Sequence, residues 1–101
     1  MTEYQLYRQH VKPSLEKKGY IVTRIETTTL AGFPDVIAYD PTSEKTFYIE
    51  LKIGKRRDNR LCVDWRPGQL GFLKKRHPVA RVAVWYAGHW AMLGVAESWE
   101  L

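Results

Sequence analysis

Three charged residues stand inside two apolar stretches of this chain. Asp35 opens Asp35-Val36-Ile37-Ala38-Tyr39, and Glu50 and Lys52 interrupt Phe47-Tyr48-Ile49-Glu50-Leu51-Lys52. Positions two apart on a strand point to one face, so Glu50 and Lys52 share a side and Leu51 takes the other. Two carboxylates brought within a few ångströms repel unless a cation sits between them. Mg²⁺ takes one or two carboxylates, keeps several waters and draws its remaining ligands from substrate phosphate. Held there, it lowers the pKa of a bound water and polarises a phosphoryl oxygen. A lysine alongside supplies a point charge that orients the water or stabilises charge gathering in the transition state. The chemistry these residue types suit is hydrolysis of a phosphate ester. The plainer alternative is a surface ion pair between Glu50 and Lys52, with Asp35 capping a turn.

That chemistry needs a scaffold to bring the residues together. Val36-Ile37-Ala38-Tyr39 and Phe47-Tyr48-Ile49 are β-branched and aromatic, and Asp40-Pro41-Thr42-Ser43-Glu44 is a turn cluster between them. A hairpin there sets Asp35 across from Glu50 and Lys52. Gly32 and Pro34 fix the turn that precedes Asp35.

The remaining elements follow from spacing and punctuation. Thr2 to Lys18 reads as a helix, with Thr2 as N-cap, an apolar row of Tyr4, Leu6, Tyr7, Val11 and Leu15, and Gly19 as stop. Pro13 either kinks this helix or divides it, standing in the first turn of a second piece. Glu3 lies on the first turn and Glu16 on the last; either is a third site carboxylate or a solvated helix charge. Tyr20 to Ile25 reads as a strand, and Glu26 to Ala31 as its continuation or a loop toward the site. Gly54-Lys55-Arg56-Arg57-Asp58-Asn59-Arg60 reads as a mobile basic clamp on a phosphate backbone or an exposed loop. Pro67 begins a second helix with its body over Gly68 to Arg76. Gln69 on its first turn either reaches the site or is solvated. Ala80 to Tyr86 and Trp90 to Val95 read as paired strands joined tightly through Ala87-Gly88-His89. Trp85, Trp90 and Trp99 read as anchors for a core or a dimer interface rather than as base-stacking rings.

Composition bounds the answer. The 101 residues make a single domain over 1–101, and an apolar content of 45% is that of a folded chain. No apolar run approaches the roughly 20 residues that span a bilayer. The N-terminus lacks a signal-peptide plan, and the lone Cys62 forms no internal disulfide. The expected location is therefore cytoplasmic, in a bacterial or phage-infected cell, and not secreted. His10, His77 and His89 show no zinc spacing, and no glycine-rich phosphate loop is present. Net charge is +5 and unevenly placed. Lys52 to Arg81 holds ten Lys/Arg against two acids, a balance of +8, leaving −3 for the rest. That asymmetry predicts a basic face for a polyanion, carried by Lys55, Arg56, Arg57, Arg60, Lys74, Lys75 and Arg76, or else a generally basic soluble surface.

Taken together, Pro34-Asp35 and Glu50-Leu51-Lys52 in this order of elements resemble the PD-(D/E)XK nuclease superfamily. Within it the chain is most similar to the small stand-alone VRR-NUC type known from phages. The early helix with Glu3, the Gly-x-Pro-Asp turn, and Arg66-Pro67-Gly68-Gln69 opening a helix support that likeness. The Val-Arg-Arg segment that names the type is absent; Val79-Ala80-Arg81-Val82 stands there. The resemblance implies an α/β fold, a single restriction-endonuclease-like domain with an αβββαβ core and a mixed central sheet flanked by helices. It implies Mg²⁺ (or Mn²⁺) bound by Asp35, Glu50 and the Leu51 carbonyl, Lys52 as the catalytic lysine, and Glu3 and Gln69 as further site residues.

The expectation is a metal-dependent endonuclease acting on DNA, leaving a 5′-phosphate. With no room for a sequence-reading domain, junction, flap or branched DNA is expected over a specific site, and the resemblance implies a homodimer. Two other classes fit the same residues: a catalytically silent nucleic-acid-binding module, and a basic phage interaction protein.

Overall fold

A computed structural model describes residues 1–25 and 33–95. The stretch Glu26 to Gly32 and Trp99 lie outside the described residues.

The N-terminal helical segment runs on from Glu3 to Lys17 with a π-helical turn ahead of Pro13. Helix α1 (Glu3–Leu6) starts in a capping box: the Thr2 hydroxyl accepts from the Gln5 amide at 3.1 Å, and Gln5 Oε1 accepts from the Thr2 amide at 2.9 Å. A π-helical turn follows over Tyr7–Val11, and helix α2 (Lys12–Lys17) places Pro13 in its first turn. Proline there has no N–H to give, and the wider turn before it makes room for its ring. Leu6, Tyr7, Val11 and Leu15 are buried against the sheet, whereas Tyr4, expected in the same row, is exposed. Each fully buried aliphatic among them contributes about 1.5–3 kcal/mol.

The main sheet has five strands in the order β1-β2-β3-β6-β7. These are β1 (Ile21–Arg24), β2 (Val36–Asp40), β3 (Lys45–Ile53), β6 (Ala80–Tyr86) and β7 (His89–Gly94). β1 to β3 form an antiparallel meander, β3 and β6 run parallel, and β7 returns antiparallel. A parallel pair needs a crossover. Here it contains a small separate hairpin, β4 (Lys55–Arg57) with β5 (Arg60–Cys62), and helix α3 (Gln69–Lys75). The mixed α/β architecture expected from the sequence is present, with the hairpin and β7 added to its core order.

The sheet is covered differently on its two faces. Val36, Ala38, Ile49, Leu51 and Ala83 pack against the N-terminal helices. Val82, Val84 and Ala80 pack with Leu73 of α3 and with Val63 on the other side. His10 stacks on Trp85 with ring centroids 5.1 Å apart, so this tryptophan and Trp90 close the edge of the first core.

Two details depart from the sequence expectations. The basic stretch after Lys52 is a hairpin, not a loop. Asp58 and Asn59 both adopt positive φ, 51° and 62°, as a two-residue turn demands. Gly54 is a fixed close approach: a Cβ there would lie 2.5 Å from Leu61 Cδ1, and its amide donates to the Trp85 carbonyl at 2.7 Å. The second helix begins at Gln69, two residues past Pro67, because Gly68 enters it in the left-handed region. Among the described residues, no helix is long and apolar enough to cross a membrane.

Candidate active site

β3 carries the site because its two faces alternate. Leu51 points into the helix-covered core, so Glu50 and Lys52 point to the α3 side. There they are almost wholly enclosed: Glu50 is 1% exposed, Lys52 4% and Gln69 4%. This excludes the surface-ion-pair alternative. Charged groups are enclosed to this degree only when partnered or when awaiting a cation.

Asp35 arrives one residue before β2, behind the buried ring of Pro34. Its register against β3 follows from Val36 opposite Ile49, which sets Asp35 beside Glu50. Asp35 Oδ2 accepts from the Leu51 amide at 3.1 Å. In an antiparallel pair, a residue's N–H and C=O face the same neighbour. The Leu51 carbonyl therefore lies on the edge where Asp35 sits.

Gln69 ties the two charged residues of β3 together. Its Nε2 donates to Glu50 Oε1 at 3.0 Å, and its Oε1 accepts from Lys52 Nζ at 2.7 Å and from the Arg66 amide at 2.7 Å. Two donors converging on Oε1 fix the orientation of the amide. Lys52 Nζ also donates to the Asp64 carbonyl and lies 5.0 Å from the centre of the Trp65 ring. The ammonium is thus held on three sides by Asp64, Trp65 and Gln69. Trp65 and the Asp64 backbone were not among the residues singled out from the sequence. The only hint was their adjacency to Arg66-Pro67-Gly68-Gln69.

Glu50 Oε2 is buried and has no hydrogen-bond partner. Burial first, and then the Asp35 carboxyl against it, push the Glu50 pKa up to about 10. Burial lowers the Lys52 pKa, against the pull of Glu50, Glu3 and Asp35. Glu3 is half-buried at the start of α1, and burial followed by the Asp35 charge raises its pKa. A 320 Å³ cavity lies here, lined by Glu3, Lys52, Lys55, Trp65 and Arg66 among others. Of the two candidate third carboxylates, the structure brings Glu3 to the site; Glu16 is exposed at the far end of α2.

This arrangement fits a hard divalent cation. One buried carboxylate oxygen lacks any donor, a second carboxylate stands beside it, and a main-chain carbonyl shares the edge. Among the described residues no three His, Cys, Asp or Glu side chains cluster as metal ligands. The fit is therefore two carboxylates with main-chain and water oxygens, the pattern Mg²⁺ tolerates.

The basic residues divide by position. Lys55, Arg56, Arg57 and Arg60 are exposed on the hairpin. Asp64 steadies its base, pairing with Lys55 at 2.5 Å and Arg57 at 3.6 Å, while Arg56 donates to Asn59 at 2.7 Å. Lys74 and Lys75 are exposed on α3. Arg76 is half-buried and folded onto Phe72, 3.4 Å above its ring centre, a difference from the exposed cation expected there.

No family model and no curated protein matches this sequence. Among solved structures, the chain is similar to a bacterial homing endonuclease with a TM-score of 0.60 at 12% identity. The match covers 96% of this chain and 66% of that one, so this chain spans just under two thirds of the endonuclease's length. At this identity the likeness is one of fold: the five-stranded frame that carries Asp35, Glu50 and Lys52 is a frame also found in an endonuclease.

Proposed function

We propose that this protein is a metal-dependent endonuclease that hydrolyses DNA phosphodiester bonds, as members of the PD-(D/E)XK superfamily do. The observation that carries this reading is the enclosed Glu50 carboxylate, with an unpartnered oxygen beside Asp35 and Lys52 one strand repeat away. An enclosed pair of carboxylates, one driven to hold a proton when no cation is present, is costly to a fold and is retained where a cation and a reaction use it. The fold shared with a homing endonuclease supports the same substrate class.

In this reading Asp35, Glu50 and the Leu51 carbonyl hold Mg²⁺ or Mn²⁺. When bound, the ion supplies Lewis acidity toward a phosphoryl oxygen and acidifies a coordinated water. Lys52, steered by Gln69, Asp64 and Trp65, presents an ammonium where negative charge grows on the phosphate oxygens. Gln69 keeps Glu50 and Lys52 in register through one amide. Glu3 closes the site from the helix side and is placed to accept a proton from water or to hold a further water in place. The hairpin cations Lys55, Arg56, Arg57 and Arg60, with Lys74 and Lys75 on α3, neutralise backbone phosphates and give binding without sequence readout. Junction, flap or branched DNA is the proposed substrate, since these cations contact phosphate and carry no sequence readout.

The test is cleavage of linear duplex, single strand, supercoiled plasmid, flap and four-way junction. Each is run with Mg²⁺, Mn²⁺ or EDTA, for the wild type and Asp35→Ala. Metal-dependent cutting lost in the variant, with DNA binding kept, supports the proposal. Binding without cutting under every metal condition reassigns the chain to a nucleic-acid-binding module.

A further inference from the structure

A second cluster of side chains lies one strand repeat from the carboxylates. Phe33 precedes Asp35 by two residues, and Tyr48 precedes Glu50 by two. On β3 that offset puts Tyr48 roughly 7 Å from Glu50 on the same face, while Phe33 lies in the segment before β2. Both rings converge on Phe72 of α3. The Phe33 and Phe72 centroids are 5.2 Å apart and tilted by 58°; those of Tyr48 and Phe72 are 5.9 Å apart and nearly perpendicular at 73°. Gln69, three residues before Phe72, reaches Glu50 from the same helix. The aromatic cluster and the carboxylates are therefore braced by the same two elements.

Arg76 completes the cluster. Its guanidinium carbon lies 3.4 Å from the centre of the Phe72 ring and 5.7 Å from that of Tyr48, and its Nη1 donates to the Phe72 carbonyl at 3.3 Å. The plane of the guanidinium is set before any ligand arrives. A 380 Å³ groove opens beside it, bounded by Phe72, Lys75, Arg76 and the bare backbone of Gly68 and Gly71. A Cβ at Gly71 would meet nothing within 4 Å.

Among the described residues, these rings pack on one another and on Arg76 and not on either core. Phe47, Tyr20, Trp85 and Trp90 pack on the first core and Trp65 on the second; Phe33, Tyr48 and Phe72 belong to neither and stay half-buried. Aromatic rings and arginine planes at the edge of a basic surface are the means by which proteins stack unpaired bases.

We infer that Arg76, backed by Phe72 with Tyr48 and Phe33 behind it, presents a stacking plane for an unpaired nucleobase in this groove, on the α3 side of the strand that carries Glu50. The preferred DNA then has single-stranded character at that position. A base held in a duplex is stacked on its neighbours and does not enter the groove. The inference rests on the endonuclease reading for the identity of the strand. Its test reads binding alone, so the two fail separately.

The experiment measures fluorescence anisotropy in EDTA for two labelled single strands of about 12 nucleotides, within the usual range of site sizes. One is oligo-dT. The other carries the same phosphates on abasic sugars. The expected result is that the wild type prefers oligo-dT by roughly 5- to 150-fold, the equivalent of losing stacked bases. Phe72→Leu and Gly71→Leu should bring the preference near unity while leaving the salt slope intact. Gly71→Leu fills the groove without disturbing a packed neighbour, so it reports even if Phe72→Leu folds poorly. Equal affinity of the wild type for the two strands, no binding to either, or a preference surviving in both variants overturns the inference. If the base preference is found and no metal supports cleavage, the endonuclease reading falls and the stacking subsite stands.

Discussion

Replacing Glu50 by Gln should stabilise the metal-free protein, by an amount that grows with pH. The glutamine keeps the shape and an Oε1 able to accept from Gln69, and removes the charge that burial and Asp35 oppose. The Glu50 pKa rises from an ordinary 4.5 to about 10 in the fold, so the folded chain holds a proton that the unfolded chain releases. Stability is then complete below about pH 4.5 and falls as pH rises toward 10, by about 1.4 kcal/mol per unit between those limits. From pH 5 to 8 the wild type should lose up to about 4 kcal/mol, a large part of the roughly 5–15 kcal/mol a domain commands. Urea unfolding in EDTA at pH 5, 6, 7 and 8 reads this directly. Wild type and Glu50→Gln should coincide at pH 5 and separate by pH 8, with the variant more stable. Adding Mg²⁺ at pH 8 should raise the wild-type midpoint, since an ion binding only the folded state at 100 times its Kd contributes about 2.7 kcal/mol. The variant should respond far less. Parallel pH dependence in the two proteins would refute the reasoning, because the enclosed carboxylate would then carry no penalty to relieve.

Lys52→Ala should slow cleavage by at least about 10²-fold through loss of one transition-state donor; single-turnover rates at saturating protein check this. Neutralising Arg56 and Arg57 together should reduce the salt slope of DNA binding by roughly one unit for each phosphate no longer neutralised, read from affinities at several salt concentrations. Gly71→Ala should stabilise the fold by about 0.5–1 kcal/mol, since the residue is helical and its Cβ meets open space; thermal melts report it.

The site was legible where local periodicity alone decides geometry. Glu50 and Lys52 share a face because strands alternate, and Asp35 faces them because a turn cluster separates two β-rich runs. Gln69 and Glu3 required the third dimension: nothing in their spacing says that one amide bridges two strand residues, or that α1 rather than the end of α2 supplies a carboxylate. The same limit hid Trp65 and the Asp64 carbonyl, which meet Lys52 only after the chain has turned back through β5. The hairpin was hidden by its composition. Lys55-Arg56-Arg57 is poor in β-formers, and its strand form depends on Asp58 and Asn59 tolerating positive φ and on Gly54 fitting between Leu61 and Trp85. Pro13 left a kink and a division open, and the π-helical turn before it accommodates the ring while the helix runs on.

The crossover between β3 and β6 has a consequence for how this protein could change over time. Residues 54–79 connect the parallel strands, and within them lie the hairpin cations, Asp64, Trp65, Gln69, Phe72 and Arg76. The other half of the site, Asp35, Glu50 and Lys52, belongs to the sheet itself. Loop closure depends only weakly on length, about 0.6 kcal/mol for each doubling. The exposed hairpin within the crossover can therefore lengthen or shorten with little effect on the stability of the five strands, whereas Val63 and Leu73 must stay to cover Ala80, Val82 and Val84. The carboxylates thus stay with the frame, and the exposed cations of the hairpin lie in a segment that mutation can rewrite while Gln69, Asp64 and Trp65 keep their hold on Glu50 and Lys52.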